Sequence, residues 1–208
     1  MTCPAAMVLV VDDDASVRKS LSRVISEAGY RVETYASSRE FLARVPEPGP
    51  SCLVLDVRMP GITGLELQKT LARAVHEIPI VFITGHGDIP MSVKAMKAGA
   101  VDFLTKPFAR KDLLDAIARA VVKDTRNLGT EARDDGIRAR VKLLTPRESE
   151  VFALVVTGML NKQIASELGI GEKTVKVHRA RVMEKMQAGS VAALVRLAYA
   201  AGIIVTEA

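Results

Sequence analysis

The stretch Ser51-Cys52-Leu53-Val54-Leu55-Asp56-Val57-Arg58-Met59-Pro60-Gly61 decides how the rest of the chain is read. Its apolar run has no helical spacing and is closed by Pro-Gly, the pattern of a strand buried on both faces of a parallel sheet. Asp56 falls at the carboxyl end of that strand, the end beyond which open α/β sheets bind their ligands. The strand alone leaves two readings open: a carboxylate with a chemical task, or an acid that caps a loop.

Upstream, Met7 to Val11 is a second apolar strand, ending in Asp12-Asp13-Asp14. Val17, Leu21, Val24, Ile25 and Ala28 then recur at helical spacing as far as Gly29. Arg31 to Tyr35 alternates as a short strand, and Ser37 to Arg44 fits a helix before a Pro- and Gly-rich loop. Downstream, Thr63 and Glu66 start a helix with a capping box, Ile78 to Ile83 is a strand ending at Thr84, and Asp88 to Ala98 is a helix stopped by Gly99. Ala100 to Thr105 is the fifth strand, ended by Lys106-Pro107, and Leu113, Leu114, Ile117 and Val121 mark a fifth helix. Parallel neighbours need crossover helices, so five strands alternating with five helices predict a doubly wound, flavodoxin-like five-stranded parallel sheet.

That topology collects Asp12, Asp13, Asp56, Thr84 and Lys106 at or just past the carboxyl ends of strands one, three, four and five. Four strands converging on three acids, a hydroxyl and an amine favour the chemical reading of Asp56 over separate loop caps. Clustered carboxylates repel one another and need a cation to stay ionised. Hard oxygen ligands suit Mg²⁺ or Mn²⁺, and no His or Cys joins the cluster to suit zinc. With a metal in place, a carboxylate can attack a phosphoryl group; Lys106 would pair with the phosphoryl oxygens and Thr84 would donate a hydrogen bond to one. Gly85 leaves the approach open.

Val10-Val11-Asp12-Asp13, Asp56 to Gly61, Thr84-Gly85 and Lys106-Pro107-Phe108 together resemble the receiver domain of two-component response regulators, over about residues 5 to 125. The resemblance implies that Asp56 accepts phosphate from a sensor histidine kinase. It also implies that Asp13, Asp56 and the main-chain carbonyl of Arg58 hold Mg²⁺, with Asp12 acting through a metal-bound water, and that Asp14 is a helix N-cap. Phe103, three residues before Lys106, stands where the family has its switch aromatic, turning inward as Thr84 moves towards the phosphoryl group; a plain core aromatic is the competing reading. Met91, Val93, Ala95 and Met96 are then the apolar part of the switch face, with core burial as the alternative. Arg58 and His86 are expected to overhang the mouth of the site.

At 208 residues and 22.4 kDa the chain fits a medium domain followed by a small one. No secretion signal and no stretch of membrane-spanning length is visible, which predicts a cytoplasmic protein. Cys3 and Cys52 lack metal-ligand spacing and read as free thiols. Residues 1–125 carry 16 Lys and Arg against 15 Asp and Glu, whereas residues 126–208 carry 13 against 9, so the basicity lies in the second part. That split favours an anionic partner there, nucleic acid before membrane surface.

Lys123 to Leu143 is charge-rich and interrupted by Gly129 and Gly136, which predicts a linker with at most partial helical order. Thr145-Pro146-Arg147-Glu148 is a helix start with an N-cap Thr, Pro at N1 and Glu at N3. Asn161 to Leu168 and Glu172 to Met186 form two further helices, with Ala165 permitting a close crossing, Gly169 the tight turn and Val175 the packing contact of a helix-turn-helix. Lys173, Lys176, Arg179, Arg181 and Lys185 make the latter helix basic, the character of a helix that enters a major groove; a solvated basic face is the alternative. Ser190 to Ala201 is a last helix whose Val191, Leu194, Val195 and Ala198 either pair two protomers or pack within one.

Leu144 to Glu148, Asn161 to Ala165 and Thr174 to His178 resemble the LuxR-type DNA-binding domain over about residues 143 to 205, and the two modules together resemble the FixJ/NarL class of regulators, with styrene-response regulators a similar subgroup. By that resemblance Lys176 and Val177 face base edges, Lys173, Thr174, Arg179 and Arg181 contact phosphates, and Ala180 stands where relatives carry a longer polar side chain.

The sequence is thus read as a receiver at 1–122, a linker at 123–143 and a DNA-binding domain at 144–208. Phosphorylation of Asp56 would promote a homodimer that binds double-stranded DNA to control transcription, with RNA polymerase as a candidate partner. The chain would be no enzyme beyond handling its own phosphoryl group. Two rivals stand beside this. Aspartyl-phosphate phosphatases carry a second Asp two residues past the nucleophile, where this chain has Arg58. A receiver whose DNA binding ignores phosphate is the other.

Overall fold

The computed structural model describes residues 6–73, 77–85, 89–200 and 202, and the chain divides into two compact units, Met1–Leu128 and Gly129–Ala208. Cys3, His76, His86, Asp88 and residues 203–208 lie outside the described residues.

In the first unit, strands β1 (Met7–Val11), β2 (Arg31–Tyr35), β3 (Ser51–Asp56), β4 (Ile80–Thr84) and β5 (Asp102–Thr105) alternate with helices α1 (Ala15–Glu27), α2 (Ser38–Leu42), α3 (Gly64–Leu71), α4 (Ile89–Lys97) and α5 (Arg110–Lys142). The strands form one all-parallel sheet in the order β2-β1-β3-β4-β5, the doubly wound arrangement expected. Side chains alternate between its faces. Leu9, Val11, Leu53, Leu55 and Phe82 join Phe41, Leu67 and Ala95 in one core, while Val8, Val10, Cys52, Val54, Val81 and Ile83 join Leu21, Ile25, Leu113 and Ile117 in the other. Both faces are covered, so the strands need no polar alternation. The strand order reverses between β1 and β3, and a crevice for ligands opens at the carboxyl ends of such a pair.

Local signals in the sequence are realised at the helix starts. Asp14 accepts hydrogen bonds from the main-chain N–H groups of Ser16 (2.7 Å) and Val17 (3.3 Å), and Thr63 and Glu66 close a capping box on α3. Gly64, the first residue of α3, has a role the sequence did not announce. A Cβ there would lie 2.3 Å from the carbonyl oxygen of Asp56 and 3.1 Å from Cα of Val57, so only glycine lets α3 start against the end of β3.

The segment read as a partly ordered linker is instead helical, since α5 runs unbroken to Lys142. Each interior glycine costs about 1 kcal/mol relative to Ala, but the surrounding Lys, Arg, Glu and Ala are good helix formers, and both ends of the segment are anchored. Asp124, fully buried, accepts from the N–H (2.7 Å) and hydroxyl (3.3 Å) of Ser51, and Ile137 is fully buried in the core of the second unit.

The second unit continues with α6 (Pro146–Val156), α7 (Asn161–Leu168), α8 (Glu172–Lys185) and α9 (Val191–Ala200). Val151, Phe152, Val155, Ile164, Val175, Val182 and Met186 form its core. Thr145 and Glu148 make the expected capping box, and Gly169 ends α7 in the left-handed region at φ 64°. Leu194 and Ala198 of α9 are fully buried in this core, and Val191 and Val195 pack against it, so packing within the unit accounts for that apolar stripe.

Candidate functional site

The sheet register brings the expected residues to one edge. Val11 pairs with Leu55 and Ile83 with Asp56, so Asp12, Asp56 and Thr84 emerge side by side from β1, β3 and β4. Asp12, Asp56 and Thr84 are all buried. Lys106 enters from the end of β5, its main-chain N–H held 2.7 Å from the carbonyl of Thr84. Its ammonium donates to Asp12 Oδ2 at 2.7 Å and to Asp56 Oδ1 at 2.9 Å.

Each remaining oxygen of that pair is also fixed. Asp56 Oδ2 accepts from the main-chain N–H of Arg58 at 2.7 Å, and Asp12 Oδ1 accepts from that of Asp14 at 2.9 Å. Arg18 of α1 donates to the main-chain carbonyl of Asp12 at 2.7 Å, holding the acidic loop from behind. Asp13 and the Arg58 side chain are exposed beside the pair. Phe103 is half-buried, its ring 6.2 Å from that of Phe82 and tilted 44° against it. On α4 the expected switch face divides: Ala95 is fully buried and Met91 packs on the core, whereas Val93 and Met96 stay exposed.

Burial raises the Asp56 carboxyl above its ordinary value, with the Lys106 and Arg58 hydrogen bonds opposing and the Asp12 charge reinforcing it. Burial alone would lower the Lys106 ammonium, but its hydrogen bonds to two carboxylates outweigh that and raise it. One ammonium thus serves two acids, and the buried group of three keeps one negative charge in excess.

That excess suits a hard cation. Among the described residues no three His, Cys, Asp or Glu side chains are gathered as a metal-binding group. The acids that Lys106 draws together are two, Asp12 and Asp56, and carboxylate oxygens are the hard ligands that Mg²⁺ prefers.

The helix-turn-helix belongs to the second unit. Val175 and Val182 turn inward, while Lys173, Thr174, Lys176, Val177, Ala180 and Arg181 are exposed along α8. Val177 is 50% exposed, an apolar residue displayed amid cations where a base edge could use it. Lys176 pairs with Glu172 at 3.2 Å. Arg179 is half-buried and donates to Asn161 Oδ1 at 2.8 Å, bracing α8 on the start of α7. Lys185 does not join the exposed face: its ammonium is drawn to Glu148 Oε2 (2.6 Å) and the Leu143 carbonyl (3.1 Å).

Residues 8–118 match the response regulator receiver domain. The chain belongs to the response regulator family. Residues 142–198 of this response regulator match the LuxR family of bacterial regulatory proteins. Nodulation protein W of Bradyrhizobium diazoefficiens is 48% identical over 95% of this chain and 87% of its own length, and the transcriptional regulatory protein FixJ of Rhizobium meliloti is 46% identical over 93% and 95%. Among solved structures, the response regulator StyR is 48% identical, covers 94% of this chain and 98% of its own, and superposes with a TM-score of 0.80. The regulator thus couples a receiver to a LuxR-type DNA-binding output domain, and its relatives are transcriptional regulators and not enzymes, which sets the phosphatase reading aside. A histidine kinase and DNA are the partner classes that these two domains imply. Among the described residues no helix is long and apolar enough to cross a membrane.

Gly64, Arg18 and Asp124 were not singled out from the sequence. Asp124 left a trace there: it falls at the helical spacing of Leu113, Ile117 and Ala120, an acid on an otherwise apolar face. Arg18 and Gly64 left none, because what they touch is main chain brought close by the fold.

Proposed function

We propose that Asp56 is the phosphoacceptor of a cytoplasmic response regulator and that its phosphorylation controls the DNA binding of the second unit. The observation carrying this reading is the Lys106 ammonium held between Asp12 and Asp56 at the strand ends. Asp13, Asp56 and the Arg58 carbonyl would hold Mg²⁺, with Asp12 acting through a bound water. The metal, when bound, neutralises charge on the pocket and on the incoming phosphoryl oxygens.

Asp56 Oδ1 attacks the phosphorus of a kinase phosphohistidine; the O–P bond forms as the P–N bond breaks. The new group adds about −1.5 to −2 of charge. Lys106 then exchanges a carboxylate partner for a phosphoryl oxygen, and the Thr84 hydroxyl donates to another. Thr84 vacates space into which Phe103 turns, and Val93 and Met96 on the face of α4, β5 and α5 take new positions. A shift between pre-existing states is sufficient, since a few new contacts bias an equilibrium. Two receivers pair on that face, and linked heads then address paired half-sites with RNA polymerase as a candidate partner. On DNA, Lys176 and Val177 meet base edges, Lys173, Thr174, Arg179 and Arg181 meet phosphates, and the short Ala180 leaves room for a larger base substituent.

The test is phosphorylation by acetyl phosphate and Mg²⁺, read by intact mass. Wild type should gain one phosphoryl group and Asp56→Asn none. A mass gain of the same size in Asp56→Asn would remove Asp56 from the role. DNA affinity that ignores acetyl phosphate in wild type would favour the phosphate-independent rival.

A further inference from the structure

We propose that the last turns of α5 are part of the DNA-reading head and that Arg140 is a positioning residue for α8; the inference rests on the reading of α8 as the helix that faces DNA. Ile137, Val141 and Leu144 follow one another at helical spacing, and all three pack in the core of the second unit, with Ile137 fully buried. The LuxR family match begins only at residue 142. The head as folded begins earlier.

Arg140 lies beside that apolar stripe. Its Nη1 donates to the main-chain carbonyl of Met186 at 2.9 Å and to the side-chain carbonyl of Gln187 at 3.3 Å, while its Nε bonds the Gly136 carbonyl one turn back at 3.2 Å. Met186 caps the C-terminus of α8. Carbonyls in the last turn of a helix lack intrahelical donors and carry the negative end of its dipole, so a guanidinium there supplies both a donor and a charge. The exchange is mutual, since Lys185 of α8 donates to the carbonyl of Leu143, the residue after α5. Two helix C-termini each receive a cation from the other.

Gln187 takes part in the same contact. It is the one non-glycine with positive φ among the described residues, at 52°, a position where glycine is the usual occupant and other residues cost about 1 kcal/mol. A glutamine there keeps a side-chain carbonyl that glycine lacks, and that carbonyl is bound by Arg140.

α8 is therefore braced at two points: Arg179 to Asn161 near its middle and Arg140 to Met186 and Gln187 at its end. Ten residues of helix span about 15 Å, so a tilt of about 5° at the clamp moves the far end by about 1.3 Å. Hydrogen bonds to base edges fail at that displacement, whereas contacts of flexible cations with phosphates persist. The clamp should govern sequence-specific binding more than general affinity for DNA.

The test uses the full chain and two duplexes of equal length: one enriched by the wild-type protein from a random-sequence pool, and one of mixed sequence. Arg140→Ala should weaken binding to the enriched duplex about tenfold and to the mixed duplex by less than about twofold. Arg138→Ala, which removes an exposed cation two residues away, should do neither. Arg140→Lys keeps the charge near the Met186 carbonyl on a shorter side chain, so its loss should be smaller than that of Arg140→Ala. Gln187→Gly relieves the backbone yet should still weaken the enriched duplex about threefold. The proposal is overturned if Arg140→Ala matches Arg138→Ala, or if it weakens both duplexes equally. Should Arg140→Ala lose the cooperative melt of the second unit, Gln187→Gly decides, and unchanged selectivity in it overturns the clamp. Lys176→Ala separates the two layers. If it leaves the enriched duplex bound as in wild type, the reading of α8 itself fails and the clamp with it; if it weakens binding while Arg140→Ala does not, the clamp alone fails.

Discussion

Each unit holds a buried carboxylate against a lysine, and the two pairs have opposite characters. In the second unit Glu148 has Lys185 to itself, with the Thr145 N–H on the same carboxylate oxygen. These hydrogen bonds, that of Lys185 first, hold its carboxyl down at about 2. In the receiver, Lys106 is shared between Asp12 and Asp56, and burial moves Asp56 the other way, above its ordinary value. One arrangement is neutral and closed. The other is one cation short, the imbalance on which the proposed metal-dependent phosphorylation of Asp56 rests.

Removing each lysine is the strongest way to break the comparison. Lys106→Met leaves Asp12 and Asp56 facing each other, a loss of about 2–3 kcal/mol in metal-free buffer, at the lower end for a buried pair because the lysine is partly solvated. Excess Mg²⁺ should return most of it. Lys185→Met should also lower the melting temperature, in the second unit, but Mg²⁺ should not restore it. Thermal melts with and without Mg²⁺ on both variants check this; equal responses to the metal would erase the distinction drawn between the two pairs.

A smaller effect is expected where the receiver site leans on main chain. Gly64→Ala drives a methyl group into the Asp56 carbonyl at 2.3 Å. The end of β3 and the start of α3 must part, at a cost of about 1–3 kcal/mol. Acetyl-phosphate labelling of Asp56 should slow while the melt of the second unit is unchanged. Labelling at the wild-type rate would mean that β3 holds Asp56 without help from α3.

The same contrast explains what could be read in the sequence. Residues that carry polar groups to strand ends announced themselves: Asp12, Asp56, Thr84 and Lys106 follow apolar runs, and the register places them together. Gly64 and Arg18 stayed silent because their partners are carbonyl groups of Asp56 and Asp12, which no residue pattern displays. The segment from Lys123 to Leu143 departs from its local pattern for a related reason. Its two glycines suggested interruption, but burial of Asp124 and Ile137 at either end decides the helix, and tertiary anchoring outweighs local propensity. Lys185 looked like one more cation of a DNA-facing helix; only the fold reveals Glu148 and the Leu143 carbonyl beneath it.

The smallest expected effect is a dependence on pH, seen first in the closed pair. Glu148 has a folded value of about 2 against an ordinary 4.5. A carboxyl depressed by folding contributes stability that is fully present above its unfolded value and is lost as pH falls through the folded one. The second unit should therefore weaken progressively between pH 4.5 and pH 2, and Glu148→Gln should flatten that part of the profile while lowering stability at neutral pH. Asp56 has the opposite sign. Its raised value makes the ionised carboxylate a liability to the folded receiver, so Asp56→Asn should raise the metal-free melting temperature at neutral pH and abolish most of the stabilisation by Mg²⁺. Melts of the two variants across pH, with and without the metal, place the signs side by side; an Asp56→Asn receiver that melts lower than wild type without metal would show that Lys106 satisfies both acids after all.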